Sequence, residues 1–329
     1  MLRIEVGPDD LAASRFAVAP LAELEQLLRK LDRGGSQAGV LVRRSRWGLR
    51  EAPVRDDLDS RLLRALRPSG WGVDFSAPPP SKGLANTVAD DLEVVRSTPL
   101  PLAREQIGRS LALLSRPPAP DVAGVLAGPD VVDRIADALE RLWNLLVAPD
   151  WPLLLAITER DVLHRADRLA RGGWAAALEG MHPRLRWDDG AVVAGQIPDG
   201  VAHLNGRGLL FVPSVFGHPN LATYLEPPWQ PTVVYPARGS AALWEENVAT
   251  PAALARLLGA ARADLLLRLE FPASTTHLVH ATGFSLGAVG GHLKVLRDAG
   301  FVDRGRAGRS VVYHRTPIGD AVVAGAAHG

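Results

Sequence analysis

The chain has 329 residues, 47% of them hydrophobic and 22% charged, with a formal net charge of +1 and no cysteine. That length and balance admit two globular domains with a sizeable core; they exclude a disordered or disulfide-stapled chain, and the lack of thiolates excludes a soft-metal site built on cysteine. No apolar run reaches the length of a membrane span, and the start, MLRIEVGPDD, lacks the basic and apolar parts of a signal peptide, so no membrane partner and a cytoplasmic location are expected.

In chain order, Leu2–Val6 and Arg15–Val18 read as short strands around a loop at Gly7–Ser14. Pro20–Leu31 reads as a helix: proline suits its first turn, Leu21, Leu24, Leu28 and Leu31 share a face, and Gly34-Gly35 stops it. Further helices are expected over Pro53–Leu66, Leu84–Arg96 and Pro99–Leu114, with a loop at Pro68–Gly83 stiffened by Pro78-Pro79-Pro80 and a break at Arg116–Pro120. A longer helical array runs from Pro129 to Met181, interrupted near Pro149–Pro152 and at Gly172-Gly173. The period then changes. Leu185–Ile197 and Val201–Val212 alternate and predict a hairpin or meander, with turns at Asp188–Gly190 and Pro198–Gly200. Pro213–Pro231 is loop-rich, Thr232–Tyr235 reads as a strand, and Ala241–Asn247 leads into the C-terminal segment. The expected fold class is mainly α with small β elements (α+β): a helical body with a small sheet over residues 1–246, then a distinct domain over 247–329.

Two features of the body invite a chemical reading. All eight tryptophans lie within it; Trp143, Trp151 and Trp174 have apolar helical neighbours and read as core. Trp47 and Trp229 sit in polar or proline-rich loops and are the candidates to line an effector pocket, against the plainer reading that they too fill the core. The stretch ERDVLHRAD places Glu159, Asp161, His164 and Asp167 on one helical run, a spacing open to metal ligation or acid–base work but equally that of a solvated face laced with Arg160, Arg165 and Arg168. No nucleophile elbow, phosphate loop or dinucleotide fingerprint is present, so neither enzymatic activity nor a cofactor is expected.

The segment Thr282–Arg315, TGFSLGAVGGHLKVLRDAGFVDRGRAGRSVVYHR, is the most informative in the chain. Gly283-Phe284 marks a turn, Ser285 is placed to cap a helix, and Val289, Leu293 and Leu296 at i, i+4 and i+7 form one buried stripe ended by Gly300. Phe301–Val302 and Val311–Tyr313 flank Arg304, Arg306, Arg309 and an Ala307-Gly308 turn, a basic hairpin. A helix, a turn, a capped helix and a basic hairpin are the parts of a winged helix-turn-helix. Residues 251–329 carry nine Arg and Lys against five Asp and Glu, a net of +4, while the first 250 carry a net of −3. A basic module on a mildly acidic body suits DNA binding.

This segment resembles the ArsR-type bacterial transcriptional regulators. HLKVLRDAGFV, His292–Val302, is similar to that family's recognition-helix end and first wing strand. Pro251–Leu269, with Gly259 inside it, is similar to the first two helices; Ser274–Gly283, capped by Ser274 or Thr275, to the helix before the turn; and Arg315–Val323, with Pro317 in its first turn, to the closing helix. The body more loosely resembles the long N-terminal domains fused to such modules in actinobacterial proteins. The resemblance implies a repressor that binds double-stranded operator DNA as a homodimer, with an unknown small-molecule effector or partner protein at the body. Ser285, Leu286, Gly287, Gly290, Gly291, His292, Lys294, Arg304, Arg306 and Arg309 are the implied DNA contacts.

Two departures stand out. The family's thiolate metal site has no counterpart here, and Asp320 with His328 is too little for the carboxylate–histidine kind; His277 and His280, an H-x-x-H before the turn, lack a third ligand. Relatives carry Ser and a longer polar residue where this chain has Gly290 and Gly291. That pair supports the alternative expectation, a protein-interaction module whose winged helix no longer binds DNA strongly.

Overall fold

The computed structural model describes residues 1–32, 42–43, 45–195, 200–217, 220–240, 252–269, 273–307 and 310–326. The chain forms two units, Met1–Ser240 and Ala241–Gly329; the expected boundary at 246/247 and the Ala241–Asn247 lead-in fall outside the described residues. The fold is a mix of helices and small sheets, α+β as expected.

The first unit opens with β1 (Leu2–Glu5), α1 (Pro8–Ala13) and β2 (Arg15–Phe16). The loop predicted between the strands is a helical turn: Pro8 starts it and the Asp10 carboxylate accepts from Gly7 N at 3.0 Å. Helices follow as α2 (Pro20–Asp32), α3 (Arg46–Glu51), α4 (Leu58–Ala65), α5 (Val88–Arg96), α6 (Leu100–Ala112), α7 (Pro120–Ala127), α8 (Val131–Leu142) and α9 (Trp151–Leu178). The Pro53–Leu66 expectation contracts to α4, because Asp57 caps the helix by accepting from Ser60 N at 2.9 Å. Val131, Val132, Ile135, Leu139 and Leu142 bury one stripe of α8, which packs on α4 and α5. A single π turn at Trp143–Val147 and a 3-10 turn at Ala148–Asp150 make the predicted interruption before α9. The second interruption is a kink inside α9 at Gly172-Gly173, where Gly173 has φ +66°. Arg165 holds that kink by donating to the carbonyls of Ala177, Glu179 and Gly180 at 3.0, 2.8 and 3.2 Å.

The strands β3 (Leu185–Asp188), β4 (Ala191–Ala194), β5 (Gly200–His203), β6 (Leu210–Ser214), β7 (Ala222–Tyr224) and β8 (Thr232–Pro236) build two four-stranded sheets, where the sequence predicted one small one. The first has the order β3-β4-β1-β5, with β1 antiparallel to β4 and parallel to β5. The second has the order β2-β6-β8-β7, parallel except for β7. Only β3–β4 is the expected hairpin. β5 and β6 separate into different sheets because the N-terminal β1 and β2 supply their partners. The strand residues of β6 and β8 are buried throughout, as parallel strands covered on both faces must be. Phe211, Val233 and Tyr235 face the cluster that includes Val162 and Leu178 of α9, with Trp174 stacked on Phe211; Val212 and Val234 face Ala19 and Ala22 at the start of α2.

The second unit runs α10 (Ala252–Leu258), α11 (Ala260–Arg268), β9 (Ala273–Ser274), α12 (Thr275–Thr282), α13 (Leu286–Asp298), β10 (Val302–Ala307), β11 (Ser310–Arg315) and α14 (Pro317–Ala326). The order of the unit is thus two helices, a short strand, two helices, a two-stranded hairpin and a closing helix. Its core gathers Leu265, Leu266, Leu269, Leu278, Val289, Leu293, Leu296 and Val302. Among the described residues, no helix is long and apolar enough to cross a membrane.

Candidate nucleic-acid interface

The second unit builds its candidate surface from α12, α13 and the β10–β11 hairpin. Ser285 caps α13, its hydroxyl accepting from Ala288 N at 3.3 Å. Val289, Leu293 and Leu296 are essentially inaccessible and anchor the inner face. The helix ends in a Schellman motif: Phe301 N donates to Leu296 O at 2.9 Å and Gly300 N to Arg297 O at 2.8 Å, with Gly300 at φ +75°. Thr316 then ties the hairpin's exit to that end, donating from its hydroxyl to Gly300 O at 2.6 Å, and caps α14 by accepting from Gly319 N. Gly319 lies so close to this junction that a Cβ would fall 2.2 Å from Phe301 O.

With the inner face fixed, Gly287, Gly291 and Lys294, at i, i+4 and i+7, point outward, and all three are exposed. Gly290 is exposed beside them, and a Cβ at 287, 290 or 291 would meet nothing within 4 Å. Ser285 and Leu286 stand exposed at the helix start. His292 does not join this face: it is half-buried, its ring edge-on to Phe284 at 6.3 Å. On the hairpin, Val302 pairs with Arg315, Arg304 with Tyr313 and Arg306 with Val311, while β9 adds a third strand. Arg304 is exposed; Arg309 lies outside the described residues, as does the Arg306 side chain.

The acids of this unit are largely spent on neighbours. Asp264 pairs with Arg268 and Asp320 with Arg315, both at 2.8–2.9 Å, and Asp298 lies 3.7 Å from Arg297. Lys294 and Arg304 have no acidic partner among the described residues, so both the helix and the hairpin present uncompensated positive charge.

The body's candidate residues lie elsewhere. Trp47 is not in a loop: it sits on α3, 2% exposed, its ring edge-on to Phe216 at 5.1 Å with the Arg46 guanidinium 4.6 Å above it. Trp229 is also buried, and its indole N–H finds no acceptor among the described residues. Neither lines the cleft of about 470 Å³ bounded by Glu179, His182, Arg186 and Trp187 at the end of α9. The ERDVLHRAD run is not a solvated face throughout. Asp161 and Arg165 are buried; Tyr235 donates to Asp161 at 2.6 Å and Arg238 N donates to it at 3.1 Å, while Glu159 and Asp167 face solvent. Burial beside Asp161 raises the Tyr235 hydroxyl well above its ordinary range. No group of three His, Asp or Glu among the described residues could hold a metal ion, and the side chains of His277 and His280 lie outside the described residues. Sequence reading missed the buried Asp161–Tyr235 pair, since its two members stand far apart in the chain and the arginines around Asp161 mimic an exposed helix.

A family of unknown function (DUF5937) matches residues 123–241, the latter half of the first unit. No curated protein and no solved structure matches the chain.

Proposed function

We propose that the chain is a transcriptional regulator, acting in the cytoplasm as a repressor, whose C-terminal unit is an ArsR-type winged helix that binds operator DNA as a homodimer. The body takes a small-molecule effector or a partner protein and shifts DNA affinity by favouring one dimer geometry over another. The carrying observation is the outward face of α13 with the hairpin beside it: a capped, firmly anchored helix whose lysine, with Arg304 of the wing, lacks an acidic partner among the described residues. Dimerisation is supported by Leu257 of α10 and Ile318 of α14, 68% and 60% exposed on helices that pack together. One recognition helix covers only a half-site, so a pair is needed for an operator.

A second reading is a protein-docking module. It is favoured by the bare face at Gly287, Gly290 and Gly291, which offers no hydrogen-bonding side chain to base edges. A gel shift on the DNA upstream of the chain's own gene, with sedimentation at micromolar concentration, separates the two. A dimer whose shift weakens steeply with salt supports the regulator; a monomer that leaves the DNA unshifted at low salt removes it.

A further inference from the structure

Besides its outward line, α13 carries exposed apolar side chains. Leu286 is 62% and Val295 47% exposed, and Ala288 is exposed between them along the helix. Ala288 and Val295, seven residues apart, form one shoulder of the outward line made by Gly287, Gly291 and Lys294. Leu286 stands in the first turn, where a recognition helix meets base edges. Hydrophobic side chains this exposed on a helix with a complete inner stripe contribute little to the unit's own core. The charge near them is positive: Lys294 lies on the outward line and Arg304 on the hairpin, both without an acidic partner among the described residues.

A polyanion satisfies that charge, and the major groove offers one feature that such a surface can recognise. Each base pair there presents donors and acceptors, which glycine, leucine and valine cannot read; thymine alone adds a C5-methyl group, which they can. The absent side chains at 287, 290 and 291 let the helix backbone approach the groove floor, which brings short apolar groups within reach of those methyls. Resting on the DNA-binding reading above, we propose that α13 recognises its site by thymine methyl contact, with Leu286, in the first turn of the helix, as the specificity-determining residue.

The test uses the full chain and a duplex enriched by it from a random double-stranded pool. That duplex is then made again with every thymine replaced by deoxyuridine, which removes the methyls and leaves every hydrogen-bonding group. Wild-type affinity is expected to fall about fourfold for each methyl that the helix touches. Leu286→Ala should bind the thymine duplex more weakly than wild type, with an unchanged salt dependence, and should distinguish thymine from uracil less. Leu286 is largely exposed, so its variant keeps the fold, which a superimposable melting curve checks; the uracil swap on wild-type protein tests the idea without any variant. Equal wild-type affinity for the two duplexes, with binding still steeply salt-dependent, overturns methyl recognition and leaves DNA binding standing. Failure to enrich or retain any duplex at low salt overturns the DNA reading itself, and methyl recognition with it.

Discussion

Glu23 offers a sharp test of how the body is held together. Its carboxylate is buried between α2 and the end of β6, where it accepts from Val215 N at 2.6 Å, Ser214 Oγ at 3.0 Å and Phe216 N at 3.2 Å. Burial pushes it from 4.5 up to about 7, against the three hydrogen bonds, which favour the charged form. Between those two values the folded chain holds a proton that the unfolded chain has lost. The group's contribution to stability is therefore fully present below about pH 4.5, declines as pH rises towards 7, and is constant above. At about 1.36 kcal/mol for each pH unit of that window, the loss is about 3 kcal/mol. Glu23→Gln mimics the protonated form. Its amide oxygen can accept from Val215 N and its NH₂ can donate to Ser214 Oγ, and only the longest bond, to Phe216 N, is forfeited, for about 1 kcal/mol. The variant should thus be less stable than wild type by about 1 kcal/mol at about pH 4, equal to it a little above pH 5, and more stable by about 2 kcal/mol at about pH 8. Urea unfolding followed by tryptophan fluorescence measures this, since seven of the eight tryptophans lie in the first unit. Parallel pH–stability curves for the two proteins would show that Glu23 does not carry this proton.

Three further outcomes follow from the geometry. Gly319→Ala should destabilise the second unit by about 2 kcal/mol or more, because its Cβ meets the Phe301 carbonyl and neither backbone segment can yield cheaply; an unchanged melting point for this unit would count against the α14–hairpin junction. Gly290→Ala should do the opposite, gaining up to about 1 kcal/mol in an open helical position, as read by the same melting curve. Tyr235→Phe should cost about 1–3 kcal/mol by removing the hydroxyl that donates to buried Asp161, and Asp161→Asn should cost less in the Tyr235→Phe background than in wild type, a coupling that a double-mutant cycle would expose or exclude.

What could be read in the sequence follows the range of the interactions. Ser285, Gly300 and Pro317 act within a turn of themselves, so the cap, the helix end and the closing helix of the second unit were legible. The same holds for the kink at Gly172-Gly173 and the start of α2 at Pro20. The two sheets were not legible, since β1 finds β4 and β5, and β2 finds β6, across nearly 200 residues, and alternation alone cannot say which strands pair. Trp47 was misplaced because the residues around it lack a helical period, although the indole itself marks a core position. Asp161 looked solvated because arginines at i+4 usually mark a surface; only the arrival of Tyr235 and Arg238 N converts it to a buried acceptor. At the candidate interface, Leu286 was among the contacts the resemblance implied, whereas the exposed Val295 needed the phase of the inner stripe, which attention to polar residues passed over.

DNA binding by the second unit would show itself most plainly in the salt dependence of affinity. The quantity to measure is the affinity of the full chain for its enriched duplex between about 50 and 200 mM salt, for wild type and for the combined variant Arg304→Ala, Arg306→Ala, Arg309→Ala. Log affinity should fall linearly with log salt, and less steeply in the variant by about 0.9 for each phosphate that the variant no longer neutralises. A wild-type affinity that does not change with salt, or a slope identical in the two proteins, would contradict DNA binding through the wing.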